Sequence, residues 1–274
     1  MKAAQERSQE PLLRMAGVCV AFGRNEVLKE IELEVRRGES VAIIGESGCG
    51  KTVLLKQFIG LLRPPRGKVF FDGMELHALS ELEQTRQRIR FGFLFQQAAL
   101  FDSMTVAQNV GFALRQHTPK TREEIDEIVV ARLAEVGLPP NIMRRKPAEL
   151  SGGMRKRVGL ARALALEPEV MLYDEPTTGL DPIMSDVINE LIIGTRRHHP
   201  VTSIIVTHDM LTARKCADRV VMLYPLGRLR GGEPQIVYDG PADRIDTAAD
   251  PRVSQFVHGE AGERLDELRQ QNGD

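Results

Sequence analysis

The spacing of hydrophobic positions divides the chain into three regions. From Met15 to about Gly73 apolar and polar residues alternate, in segments such as GVCVAF, IELEV and KVFFDG, which predicts antiparallel strands. Within that region Val41, Ala42, Ile43 and Ile44 form an unbroken apolar run that reads as a strand, and Val53 to Phe58 favours a helix. Between Gln97 and about Pro147 the spacing becomes helical. Thr121 and Glu124 make a capping box, Ile125, Ile128, Val129, Leu133 and Val136 share a face, and Gly137 and Pro139 end it. A second amphipathic helix follows Ser151, a good N-cap, with Val158, Leu160, Ala161 and Leu164 on its apolar side. From Leu160 to about Leu223 strands and helices alternate, as in a closing parallel sheet, with apolar strands at Val170 to Tyr173 and Ser203 to Val206. No internal repeat or low-complexity segment interrupts this order.

Composition narrows the surroundings. A chain of 274 residues that is 42% hydrophobic can bury a large core, as one body of two lobes. A net charge of -1 argues against a nucleic-acid partner. No stretch approaches the roughly 18 apolar residues of a membrane span, and the start MKAAQERSQE is unlike a secretory signal. The chain is therefore expected in the cytoplasm, reaching a membrane only through other proteins. Cys19, Cys49 and Cys216 have no metal-ligand spacing and are too few for a disulfide framework. Cys19 and Cys216 read as packing residues, whereas Cys49 stands beside Lys51 at a helix start, a setting that favours thiolate.

The chemistry is concentrated in two stretches. Gly45, Glu46, Ser47, Gly48, Cys49, Gly50, Lys51 and Thr52 fit the phosphate-loop pattern, with Val53 in the helix behind them and the apolar strand in front. Glycines at the first, fourth and sixth places let successive N–H groups turn inward around phosphate oxygens at the positive end of the helix. Lys51 is then expected to bridge the β- and γ-phosphates, and Thr52 to offer its hydroxyl to Mg²⁺. The second stretch, VMLYDEPTTGLD, carries Asp174 and Glu175 to the mouth of a buried strand, where ligands of α/β sheets bind. Asp174 is the candidate holder of Mg²⁺ through its water shell. Glu175 is the candidate base for the attacking water.

The phosphate loop, the LSGG at Leu150 to Gly153 and the DEPTTGLD run together resemble an ATP-binding cassette (ABC) ATPase. The resemblance implies an α/β P-loop cassette: a RecA-like core with an antiparallel β subdomain and an inserted helical subdomain at about 97–158, within an ATPase domain at 11–245 and before an extension at 246–274. It implies ATP as the nucleotide. It also implies a homodimer, in which Leu150, Ser151, Gly152, Gly153 and Met154 meet the γ-phosphate held by the other copy. Carried over in the same way are Gln96, which contacts Mg²⁺ and the water, Asp181, which crosses the dimer seam, and His208, which bonds the γ-phosphate. Phe22 occupies the place of an adenine-stacking aromatic, with core packing as the competing reading.

Further stretches narrow the group. FLFQQAALFDSMTVAQNVGFAL, LSGGM, TTGLDPIMSDVINELI and DPRVSQFVHG look like the ATPase of Mla or MCE phospholipid transporters. That likeness, from Met15 to Gly259, implies a permease dimer, an MCE-domain protein, a STAS-domain partner and a place on the cytoplasmic face of the inner membrane. The alternatives are the ATPase of an importer for a small solute such as an amino acid, and a non-transport ABC protein. The surface that receives the permease is expected near Gln96 and from Ala98 to Thr105, with Leu100, Phe101 and Met104 lining it or packing the lobe. The segment YPLGRLRGGEPQIVYDG, longer than a short hairpin, is expected to displace its edge strands. EAGERLDELRQQNGD reads as a solvated tail or a docking segment.

Overall fold

The structure, a computed structural model, describes residues 10–261. The hairpin of β1 (Leu13–Phe22) and β2 (Asn25–Val35) opens it. The chain then enters β3 (Ser40–Ile44), every residue of which is buried, and passes into α1 (Lys51–Phe58). β4 (Arg66–Phe71) and β5 (Met74–Glu75) return to the hairpin, making an antiparallel sheet in the order β2-β1-β4-β5. The alternation read from the sequence is the alternation of that sheet, whose inward residues Met15, Ile31, Leu33 and Phe71 share one core with α1. α2 (Glu81–Arg88) was not apparent from hydrophobic spacing because it buries no residue, although its Ser80 and Glu83 form a capping box.

β6 (Phe91–Leu94) leads into the helical lobe: α3 (Val106–Val110), α4 (Phe112–His117), α5 (Arg122–Glu135) and α6 (Gly152–Leu164). Thr121 and Glu124 cap α5 reciprocally, and Ile125, Val129 and Leu133 pack against Val158 and Leu160 of α6. The chain then alternates through β7 (Val170–Asp174), α7 (Pro182–His198), β8 (Thr202–Val206), α8 (Met210–Cys216) and β9 (Arg219–Leu223). These strands join β3 and β6 in a parallel sheet, with β10 (Ile236–Pro241) added antiparallel at one edge, in the order β10-β9-β3-β8-β7-β6. The last helix, α9 (Pro251–His258), buries Val253 in the same cluster as Ile44, Met222 and Ile245. The tail reading falls mostly on residues 262–274, outside the described residues.

Beyond the shared core, polar contacts join the sheets, and two of them bear on the site. Arg90, before β6, pairs with Glu169 and Asp72, lies 4.3 Å over the Phe71 ring, and shares both carboxylates with Arg37. The second lies in the segment between β9 and β10. Contrary to expectation that segment does not displace the edge: β10 keeps its pairing with β9 through a register shift between Ile236 and Tyr238. In the same segment Gln235, buried to 3% exposure, accepts from Lys29 N–H and donates to the carbonyls of Val27 and Cys49. One side chain thus stitches β2 to the phosphate loop. Gln235→Leu strands a donor and two acceptors and is expected to lower stability by about 2–3 kcal/mol, read as a lower urea midpoint at constant slope; an unmoved midpoint would deny the stitch any energetic role.

Candidate active site

The parallel register brings the sequence candidates together. Ile43 of β3 and Asp174 of β7 both pair with Val206 of β8, the strand between them, so the three strands end at one level. Gly45 follows β3, Glu175 follows β7, His208 follows β8 and Gln96 follows β6. A ligand crevice outside the carboxyl ends of parallel strands is the general consequence of this architecture.

The loop from Gly45 to Thr52 is shaped by backbone conformations that only glycine takes without strain. Gly45 has φ 144 and a Cβ there would stand 2.3 Å from the Leu223 carbonyl oxygen; Gly50, the N-cap of α1, has φ 102 and a Cβ there would stand 2.9 Å from Leu28 Cδ2. Lys51 is nearly buried and its Nζ donates to the carbonyls of Gly45 (2.7 Å) and Glu46 (3.0 Å), folding the cation back across the loop. Glu46 is held from outside by Arg228. Ser47 and Gly48 are exposed at the tip, whereas Val53 packs against the core.

Cys49 corrects the reading that its setting favours thiolate. Its side chain is 2% exposed and packs in the main core, and burial raises its pKa, with the Lys51 ammonium opposing only in part. Proximity to a cation was legible in the sequence; desolvation, which outweighs it, was not.

Thr52 Oγ1 donates to Asp174 Oδ1 over 3.2 Å. Burial raises the Asp174 pKa, opposed by that hydrogen bond, and a cation in the site would relieve the cost of its charge. A hydroxyl and a carboxylate side by side suit a hard divalent cation. Among the described residues no group of three or more His, Cys, Asp and Glu could hold a metal, so the remaining ligands would have to come from phosphate, water and neutral side chains such as Gln96.

Glu175 stands at φ 48, its N–H donating to the Val206 carbonyl (2.8 Å). Its Oε2 lies 2.8 Å from His208 Nδ1 and accepts from Thr178 Oγ1 at 3.1 Å. The Glu175 side chain is 13% exposed and that of His208 62%. A sheltered carboxylate thus adjoins an imidazole at the surface, at the ends of β7 and β8, of which β8 lies beside β3, the strand that leads into the phosphate loop. This arrangement can grip a polyphosphate and deprotonate a water beside it.

Gln96 is exposed and lines a cavity with Gly152 and the 178–180 segment. Behind it Ala98 and Ala99 have φ 60 and 44, and Arg162 of α6 donates to both carbonyls. Ser151 accepts from the Met154 N–H at 3.2 Å, as an N-cap. Leu150 is buried beneath it, while Ser151 and Gly152 are exposed; Gly153 is buried against Met184, whose Cε would stand 2.7 Å from a Cβ there. Asp181 is exposed and caps α7 through Met184 N–H. Phe22, 52% exposed at the end of β1, is not a core residue.

Sequence reasoning missed several residues around this site. Lys156 is 5% exposed, and burial pushes its ammonium down to about 8, with Glu175 and Asp174 opposing. Asp209 accepts from Thr212 Oγ1 (2.7 Å) and from Leu211 N–H, and Thr177 Oγ1 lies 3.4 Å from it, which joins the PTTGLD segment to α8. Asp209 follows His208 and begins a helix, a readable cap signal; a lysine or arginine in a helix gives no comparable sign of burial.

A phosphate loop and a carboxylate pair at the edge of one α/β sheet, with a second helix start in the lobe beside them, define a nucleotide-phosphate-binding cassette. The sequence pattern of the ABC transporter family matches residues 28–178, and the chain belongs to that family. It is 40% identical over 247 residues to the "probable ribonucleotide transport ATP-binding protein mkl" of Mycobacterium tuberculosis, covering 90% of this chain and 66% of that protein. It is 38% identical over 254 residues to the "intermembrane phospholipid transport system ATP-binding protein MlaF" of Escherichia coli, covering 93% and 91%. Among solved structures, the dimeric ATP-binding cassette MJ0796 bound to ADP and Pi superposes with a TM-score of 0.74 at 30% identity, over 84% of this chain and 98% of that one. The fold is that of an ABC ATPase. No helix of the described residues is long and apolar enough to cross a membrane.

The burial of Cys49 sets an expectation for its reactivity. At pH 7.5 it is expected to react with iodoacetamide at least about 100-fold more slowly than in the denatured chain, equally with and without MgATP. Fast modification that MgATP suppresses would restore the thiolate reading.

Proposed function

We propose that this chain is the ATP-hydrolysing subunit of a transporter that moves phospholipid between the inner and outer membranes, working by ATP-dependent closure of a homodimer. The observation that carries the hydrolytic part is Glu175, anchored through its backbone and set 2.8 Å from His208 at the mouth of the phosphate-loop crevice. In this reading the loop N–H groups and Lys51 bind the phosphates of ATP, Thr52, Asp174 and Gln96 hold Mg²⁺, and Phe22 stacks on adenine. A bound Mg²⁺ would neutralise charge on the phosphates. Glu175 orients and deprotonates the attacking water, and His208, with most of its surface exposed, turns between Glu175 and the γ-phosphate.

The exposed Ser151 and Gly152 at the start of α6 offer N–H groups and a helix dipole to the γ-phosphate of the other copy, and Asp181 crosses the seam. Moving a dimer from mostly open to mostly closed takes about 5 kcal/mol of preference for the closed form, within reach of a phosphate gripped from both chains. Loss of that phosphate loosens the dimer.

The permease is proposed to bind beside Gln96, where Phe93, Phe95, Phe101 and Phe112 line an apolar groove. Of the residues suggested by sequence, Phe101 belongs to this groove, while Leu100 packs with the helical lobe and Met104 lines a different cleft. The phospholipid cargo rests on the likeness to MlaF, which spans nearly all of both chains. The ribonucleotide named for mkl belongs to a longer protein, of which this chain spans 66%, and is the second reading. With this assignment come an MCE-domain protein, a STAS-domain partner and a peripheral place on the cytoplasmic face of the inner membrane.

Isolation of this chain with its partners from detergent-solubilised membranes is expected to yield a permease, an MCE-domain protein and bound phospholipid. Coelution of a soluble solute-binding protein instead would overturn the cargo assignment. Glu175→Gln is expected to reduce kcat by about 10² to 10⁴ while sparing MgATP binding; parental turnover in that variant would remove Glu175 as the base.

A further inference from the structure

A cavity of about 490 Å³ opens between the segment from Gln96 to Leu100, the start of α6 and the 178–180 segment, and Lys156 of α6 contributes to its wall. Lys156 is a charged group with 5% exposure, which the fold tolerates only if its ammonium finds acceptors. Nζ donates to the carbonyl oxygen of Glu175 at 3.0 Å. The same residue's N–H donates to the Val206 carbonyl at 2.8 Å. Glu175 is thereby clamped at both peptide groups in a left-handed conformation, φ 48, that non-glycine residues rarely adopt. This clamp aims its carboxylate at His208 and Thr178.

Resting on the reading of Glu175 as the base, we propose that Lys156 is a positioning residue: it holds Glu175 in the left-handed conformation and ties that conformation to α6. Lys156 lies about one and a half turns beyond Ser151 on one helix. The element that presents Ser151 and Gly152 outward therefore also holds the carboxylate of its own chain. A displacement of α6, whether it comes from the bound partner nucleotide or from the groove flanked by Arg162, reaches Glu175 through one hydrogen bond. Uncoupled from α6, the carboxylate would lose its aim while the phosphate loop, which Lys156 does not touch, would bind ATP as before.

The test is steady-state ATPase kinetics of the full chain, with thermal melting as a check on folding, for Lys156→Met, Lys156→Gln, Glu175→Gln and the combinations. Lys156→Met is expected to lower kcat by about 10- to 100-fold, the scale of a misplaced catalytic group, with KM for ATP within about twofold. Lys156→Gln, which keeps a donor, is expected to recover part of that loss. Lys156→Met/Glu175→Gln is expected to be no slower than Glu175→Gln. A parental kcat in Lys156→Met, or a loss that multiplies onto that of Glu175→Gln, overturns the proposal. If Lys156→Met does not melt cooperatively, Lys156→Gln alone and with Glu175→Gln is judged by the same two criteria. Parental turnover in Glu175→Gln itself would instead overturn the base assignment, so the two failures are distinct.

Discussion

Val206 sets the level at which the site is built. It pairs with Ile43 on one side and Asp174 on the other, and its carbonyl accepts the Glu175 N–H. A slip of one residue in β8 would turn every side chain of that strand to the opposite face and move the base away from the phosphate loop. The constraint is held cheaply because β8 is buried along its whole length between two parallel neighbours. Rigidity of the sheet thus becomes precision at its edge.

On that edge the protein keeps charges it has partly desolvated. Burial pushes Asp174 up and Lys156 down, the first opposed chiefly by the Thr52 hydroxyl and the second by the Glu175 and Asp174 carboxylates. Lys51 satisfies its donors with two loop carbonyls, a lower-cost solution than an ion pair because neither partner carries a full charge to desolvate. A divalent cation would relieve the charge on Asp174, and a polyphosphate would offer the Lys51 ammonium acceptors of opposite charge in place of the loop carbonyls.

Much of this was legible in the chain. The glycines of the phosphate loop, the apolar run ahead of Asp174 and the cap signals at Thr121 and Ser151 are local features, and each stands where its local physics places it. The rest depended on packing between distant segments. α2 left no hydrophobic trace because it lies on the surface, and only Ser80 and Glu83 announced it. Cys49 looked reactive because its charged neighbours are adjacent in sequence, while Val27 and Leu28, which close over that part of the loop, are not. Lys156 sits in a run of basic residues, MRKR, that reads as a solvated face, yet it points inward to a carbonyl 19 residues away. The aromatic groove is similar: Phe93 and Phe95 stack at 4.0 Å and Phe101 meets Phe112 at 4.9 Å from the two ends of the segment that contains α3, a juxtaposition that spacing alone does not reveal.

The place of β3 has a consequence for biosynthesis. Its two neighbours, β8 and β9, and the Gln235 stitch all come from the last third of the chain, more than 150 residues downstream. A ribosome that has translated the phosphate loop has therefore made a strand with nothing to pair with and a loop whose floor, the Leu223 carbonyl under Gly45, does not yet exist. The phosphate loop therefore takes its final surroundings only after the last third of the chain has been made.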